Sequence, residues 1–217
     1  MRRNVDLKEI SDGKLYTEND MAKVGCNDCA GCFACCTGMG ESIILDPLDI
    51  YRLTCGTGLT MEQLFTVHIK LNVVDGLTLP CLVMAGDDER CTFLNSDGRC
   101  SIHKYRPGVC RLFPLGRVYK NGDFKYFLQT DECKSKVRTK VKVGKWIDVD
   151  RPRENRAFLN VWHNLLNELE EKCRKAEDLE ETKEINLKLL RTFYFMPYEK
   201  TADFYEQFER RLAAFPV

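Results

Sequence analysis

Hydrophobic and polar positions along the 217-residue chain change their period twice. Residues 1–25 are polar with no sustained period and read as an N-terminal arm or weakly packed lead-in. Ser42 to Leu45 then form a short apolar run with strand character, and Asp46-Pro47 supplies a helix start, with Asp as N-cap and Pro in the first turn. That helix should be short, ending near Gly56. Thr60 and Gln63 have the spacing of a capping box that opens a second helix through about Val67.

The middle of the chain reads as strand. Residues 69–74 and 77–83 flank Asp75-Gly76, and residues 117–120 and 124–127 flank Asn121-Gly122-Asp123, both strong signals for tight hairpins. Between the hairpins lies CTFLNSDGRCSIHKYRPGVCRLFPLG, residues 91–116, whose Gly, Pro and Cys content predicts an irregular segment organised by something other than backbone ladders. Residues 136–143, KVRTKVKV, alternate cations with Val or Thr as a solvated edge strand would. From about Arg153 the period becomes helical. Phe158, Val161, Trp162, Leu165, Leu166, Leu169 and Cys173 share one face. An acidic stretch from Glu177 to Glu184, a run from Ile185 to Phe195, a break at Pro197 and a last helix with Phe204, Phe208 and Leu212 follow. Strands first and helices afterwards give an α+β fold class. The expected organisation is an arm over 1–25, a cysteine-rich core with short strands and hairpins over 26–147, and a helical extension over 148–217 packed on it.

Composition sharpens this picture at one point. Hydrophobic residues at 44% and charged residues at 30% are ordinary for a globular chain, and 33 basic against 33 acidic residues leave no net field to attract nucleic acid or an anionic membrane. No signal-peptide pattern and no apolar run of about 18 residues is visible, so the expectation is a cytoplasmic protein with no membrane and no nucleic-acid partner. Twelve cysteines in such a compartment point to metal or redox chemistry rather than to disulfides.

The cysteines are not scattered. Cys29, Cys32, Cys35 and Cys36 fall within CAGCFACC, a density that packing does not require. Two-residue spacers let successive thiolates turn toward one centre, as in zinc ribbons and ferredoxin loops. Adjacent Cys35 and Cys36 diverge, so one of them should face a second site or another edge of a cluster. Cys91, Cys100, Cys110 and Cys133 can complete a set of eight, enough for two cubane clusters, two closed zinc sites or one larger cluster. Cys26 reads as structural or spare, and Cys55, Cys81 and Cys173 as core residues. His103 lies among the cysteines but reads as a surface or packing residue before a ligand. Arg99, Arg106 and Arg111 stand beside ligand positions, where a cation offsets the charge of a thiolate-bound cluster and raises its potential; salt bridging is the plain alternative, and a substrate carboxylate or phosphate a third. Pro107 fixes the turn before Cys110. Lys136, Arg138, Lys140 and Lys142 read as a solvated edge, and the aromatic tail as core with some capacity for docking a partner.

CAGCFACC, the Asp46-Pro47 helix start, Leu79-Pro80 and the segment 91–116 occur in an order that resembles the YkgJ-like cysteine-cluster family, the CxxCxxCC zinc- or iron-chelating domain, which is related to flagellin lysine N-methylase. The resemblance spans about residues 26–135. It implies a bound metal, commonly an iron-sulfur cluster and here expected as [4Fe-4S] with zinc as the alternative, held by Cys29, Cys32, Cys35, Cys36, Cys91, Cys100, Cys110 and Cys133. The reading that follows is a redox, cluster-carrying or accessory module with a protein partner or protein substrate, within a larger assembly. Kinship with the methylase branch raises S-adenosylmethionine-dependent lysine methylation as an alternative, although the chain lacks CxxxCxxC and GxGxxG patterns. A zinc-stabilised interaction domain is the second alternative.

Overall fold

The computed structural model describes residues 6–26, 32–133 and 138–215. The chain opens with a single helical turn, α1 (Leu7–Ile10), and two strands, β1 (Ser11–Tyr16) and β2 (Met21–Gly25). The lead-in read as an arm therefore carries paired structure. In β2 the inward positions are Ala22 and Val24, both buried, while Met21 and Lys23 are exposed, so a two-residue period too short to stand out in the sequence still selects one face. Its partners are remote, which is why local pattern did not reveal them. β1 pairs with β8 (Asp123–Gln129), and β2 with β9 (Thr139–Lys142).

The helix α2 (Pro47–Thr57) begins at Asp46 as expected, runs one residue past Gly56 and stops at Gly58, whose φ of 76° suits a left-handed cap. Gly56 has a separate task. A Cβ there would overlap the Tyr105 ring, so glycine is what lets the single turn His103–Tyr105 lie on α2. The box of Thr60 and Gln63 opens α3 (Met61–Val67). Hairpin β3 (Ile69–Val74) with β4 (Leu77–Leu82) turns at Asp75-Gly76, both at positive φ, and β7 (Leu115–Lys120) with β8 turns at Asn121-Gly122 in the same way. The run at Ser42–Leu45 is reduced to one bridge, Ile44 opposite Cys81, with Leu45 N–H and Ile43 C=O bonded to Pro80 and Leu82 of β4. Two short strands, β5 (Met84–Ala85) and β6 (Arg90–Cys91), lead into the cysteine segment. The sheets are β1-β8-β7 and the pairs β2-β9, β3-β4 and β5-β6, all antiparallel. With the helices that follow, this is the α+β class.

After α4 (Gly108–Leu112) and α5 (Val143–Ile147), three longer helices close the structure: α6 (Pro152–Lys175), α7 (Leu179–Leu190) and α8 (Phe204–Ala214). The acidic stretch belongs to α7. Asp178 caps it by accepting Glu181 N–H, and Glu180 and Glu181 sit in the first turn, where the helix dipole favours them. The helix continues as one π turn, Arg191–Phe195, that carries Phe193 and Tyr194 inward. Trp162, Phe193, Phe158, Phe204 and Phe208 interlock edge to face, with Trp162 and Phe193 ring centres 5.2 Å apart and Phe158 and Phe208 4.8 Å apart. Most of the tail aromatics are core, with Tyr205 part-buried and Phe195 exposed.

Two buried polar groups fasten this tail to the strands. Asn186 on α7 accepts Thr78 N–H and donates to Gly76 C=O at 3.0 Å, clamping the Asp75-Gly76 turn. Tyr194 donates to Leu45 C=O at 3.0 Å, just before α2. One contiguous apolar cluster joins the strands to the tail.

Candidate metal site

The cysteine loop is placed from outside. Thr37 bridges Arg90, and Gly38 N–H reaches Glu89 C=O at 3.0 Å, so the loop hangs on β6. A single turn over Ala34–Cys36, closed by Cys36 N–H to Phe33 C=O, points the adjacent thiols of Cys35 and Cys36 into one region. Opposite it, the chain from Cys91 to Cys100 reverses around Asn95, whose side-chain oxygen accepts the N–H groups of Asp97 and Arg99. Leu94 bridges Cys100 as this loop closes. Side-chain turn chemistry thus supplies part of the organisation that the sequence predicts to come from something other than backbone ladders.

Six cysteines, Cys32, Cys35, Cys36, Cys91, Cys100 and Cys110, line a single cavity of about 60 Å³. Arg99, His103 and Arg106 share its wall, with Ile43, Leu82 and Ile102 among the apolar lining residues. Cys29 and Lys136 lie outside the described residues. Cys133 is described and half-buried but does not line this cavity; its carbonyl accepts from Arg138. Arg111 is also directed elsewhere. Its guanidinium, on a residue only 5% exposed, donates to the carbonyls of Asp148 and Lys104 at 2.7 Å each, so it ties α4 to the end of α5. Cys55 is exposed on α2 rather than in the core, Cys81 is fully buried in β4 as expected, and Cys173 packs part-buried against the core beside Gly76. The remaining histidines have packing partners: His68 bonds Thr92 and stacks on Phe93, and His163 stacks on Tyr119.

The thiols are electrostatically unequal. A hydrogen bond from Cys36, helped by the Arg106 guanidinium, brings Cys35 down to about 7, and the same bond together with burial drives Cys36 up. Burial pushes Cys91 and Cys100 up, and Cys110 well up. The wall therefore favours the Cys35 thiolate and holds Cys36, Cys91, Cys100 and Cys110 protonated until something compensates their charge. Arg106 contributes to that compensation. One of its guanidinium nitrogens lies 3.0 Å from His103 Nε2, while its Nε is buried without a hydrogen-bond partner.

The donor set suits a thiophilic metal. Soft thiolates gathered against apolar walls select zinc or iron-sulfur chemistry over calcium or magnesium. The cavity exceeds the roughly 10–15 Å³ needed for one water, so an ion has room. Among the described residues no three Cys, His, Asp or Glu side chains already stand at the spacing of ligands to one ion, so the sulfurs would turn inward on binding. Cys32, Cys35, Cys36, Cys91, Cys100 and Cys110 are the described residues that would hold it.

Sequence spacing missed Asp49, which stands behind the cavity wall. Its side chain is 3% exposed and accepts Gly108 N–H at 2.7 Å, at the start of the helix that carries Cys110. The Asp46–Asp49 capping box was half visible in the sequence as the Asp-Pro start, but the bond to Gly108 joins residues 59 positions apart.

Among the described residues no helix is long and apolar enough to cross a membrane. Comparison with curated proteins and with solved structures gives no match. The family model of the CxxCxxCC domain, described as a putative zinc- or iron-chelating domain, matches residues 28–146 and so brackets the cysteine loop, the cavity and Cys133. That span is more than half of the chain, and metal binding is the chemistry it supports. The chain belongs to the CxxCxxCC zinc- or iron-chelating family.

Proposed function

We propose that this protein binds an iron-sulfur centre, with [4Fe-4S] the expected form, and serves as a redox, cluster-carrying or accessory module for a protein partner in a larger assembly. The observation that carries the reading is the gathering of six thiols on one cavity. A closed structural zinc site uses four ligands, so six around one space favour a polynuclear centre. Cys29 and Cys133 are the further ligands proposed from the sequence. Arg106 supplies positive charge beside the thiolates, which raises the potential of a bound cluster, while the apolar wall limits water and so disfavours its more negative reduced state. When bound, the centre supplies one-electron chemistry or is itself passed on. The chain's own residues contribute thiolates, a water-poor wall and a compensating cation.

Anaerobic purification followed by iron, acid-labile sulfide and zinc analysis with EPR of the reduced protein tests this reading. The expected result is iron and sulfide in near-equal amounts with a paramagnetic signal on reduction. Colourless protein with stoichiometric zinc would overturn it in favour of a zinc-stabilised interaction domain. Calorimetric binding of S-adenosylmethionine to the metal-replete protein would instead favour the methylase reading.

A further inference from the structure

Two capping boxes in this chain do the same local job with different materials. At α3 the box is made by Thr60 and Gln63, both uncharged and exposed. At α2 it is made by two carboxylates, Asp46 and Asp49, and Asp49 is buried. Burying acids beside each other is costly, and α3 shows that starting a helix does not require it. The α2 box has something that the α3 box lacks. Asp49 uses one oxygen for Asp46 N–H at 3.1 Å and the other for Gly108 N–H at 2.7 Å. Gly108 is the first residue of α4, and Cys110 is two positions later, its side chain on the cavity.

We infer that Asp49 is a positioning residue for the metal centre, acting through the first turn of α4 to hold Cys110 in the cavity wall; this rests on the metal-binding reading above. At the entry of α4 the bond from Gly108 to Asp49 is the side-chain hydrogen bond, beside the buried Pro107. Pro107, at its N-cap, makes no side-chain cap bond, and Arg111 fixes its far side to Lys104 and Asp148. Without Asp49 the five-residue helix would keep side-chain hydrogen bonds at its far end alone, and packing of Pro107 would be left to set its entry. A Cβ on Gly108 would stand 3.6 Å from Asp49 Oδ1, so the carboxylate lies directly against the first residue of α4. The role is geometric rather than electrostatic. A carboxylate near a thiol disfavours thiolate formation, so its charge works against metal binding while its hydrogen bond works for it.

That opposition makes the variants informative. D49N keeps an oxygen for Gly108 N–H and loses the charge; D49E keeps the charge and moves the carboxylate by one methylene; D49A loses both. I50V, in the same helix turn, is a control that lowers stability without touching α4. Metal affinity of the full-length protein is measured by competition with a chromophoric chelator, together with the absorption spectrum and the melting temperature. D49A and D49E should bind metal at least about tenfold more weakly than wild type, the low end for outer partners of ligands, with altered thiolate-to-metal absorption. D49N should stay within about threefold, and I50V should match wild type at a lower melting temperature. If D49A does not fold, D49E against D49N decides. Wild-type affinity and spectrum in D49E, or equal losses in D49N and D49E, would overturn the inference. A wild-type protein that takes up no metal would instead remove the reading on which it rests.

Discussion

The cysteine region and the helical tail are parts of one apolar cluster, yet they are held by different forces. In the tail Leu189 and Phe193 have no exposed surface, Tyr194 has 1%, and Trp162 sits among several aromatic rings. Arg211 covers the Tyr198 ring and donates to the carbonyls of Thr192, Met196 and Pro197, which satisfies the chain where it leaves the π turn. Burial of that kind is sufficient to stabilise helices. The cysteine region has less of it. Phe33 is 43% exposed, Cys32, Cys35 and Cys36 are half-buried, and the loop rests on a few turn bonds. One region supports itself. The other gathers one favoured thiolate, Cys35, with four thiols whose protons burial helps to hold, a state that gains from a bound cation.

The largest effect that would break this contrast is in the tail. Phe193→Ala should destabilise by about 3–5 kcal/mol in chemical denaturation, while metal content per folded molecule stays at the wild-type level. Loss of metal from still-folded protein would show that the regions are not separable. The acid pair at α2 sets the next effect. Burial, added to by Asp49, raises Asp46 to about 8, and burial raises Asp49 also. A carboxyl whose folded pKa lies above its unfolded value contributes full stability below the unfolded value and loses it as pH rises toward the folded one. Stability should therefore fall between about pH 4 and pH 8, and D46N should flatten that slope. An identical slope in D46N would remove the pair as its cause.

Asn186→Ala breaks the clasp between tail and hairpin and leaves Thr78 N–H and Gly76 C=O without it, which should cost about 1–3 kcal/mol by thermal or denaturant unfolding. Glu180→Gln breaks an ion pair with Lys183 in which both side chains are mostly exposed, and it should change stability by no more than about 0.5 kcal/mol. A larger loss would mean that the surface of α7 contributes more than its exposure allows.

How much of this was legible in the chain depended on range. Local signals placed well: Asp75-Gly76 and Asn121-Gly122 turn where their positive φ preference predicts, Asp46 and Thr60 cap their helices, and the stripe from Phe158 to Leu169 buries except at Val161. Remote pairing did not. Nothing near Ser11 or Met21 in sequence announces β8 or β9, because strand pairing is decided by the partner. The acidic stretch from Glu177 to Glu184 carries no apolar period of its own, yet it opens α7, with Asp178 as the cap and Glu180 and Glu181 in the first turn, where their charge suits the N-terminus. At the site, six of the eight cysteines that spacing and resemblance brought forward share the cavity. Proximity in sequence misdirected Arg111, which is one residue from Cys110 but bonds the carbonyls of Lys104 and Asp148, and the general tendency of cysteine to be buried misdirected Cys55, which is exposed on α2. Asp49 carried no spacing signal at all.

The central claim is that bound metal holds the cysteine region while the tail holds itself. Hydrogen exchange followed by mass spectrometry, on metal-replete protein and on protein stripped by an anaerobic chelator, compares the two directly. The account predicts that stripping raises exchange in residues 32–38 and 91–112 by at least about tenfold, equivalent to roughly 1.4 kcal/mol of local opening, and leaves residues 155–195 and 204–214 unchanged. Equal loosening of both regions, or of neither, would contradict it.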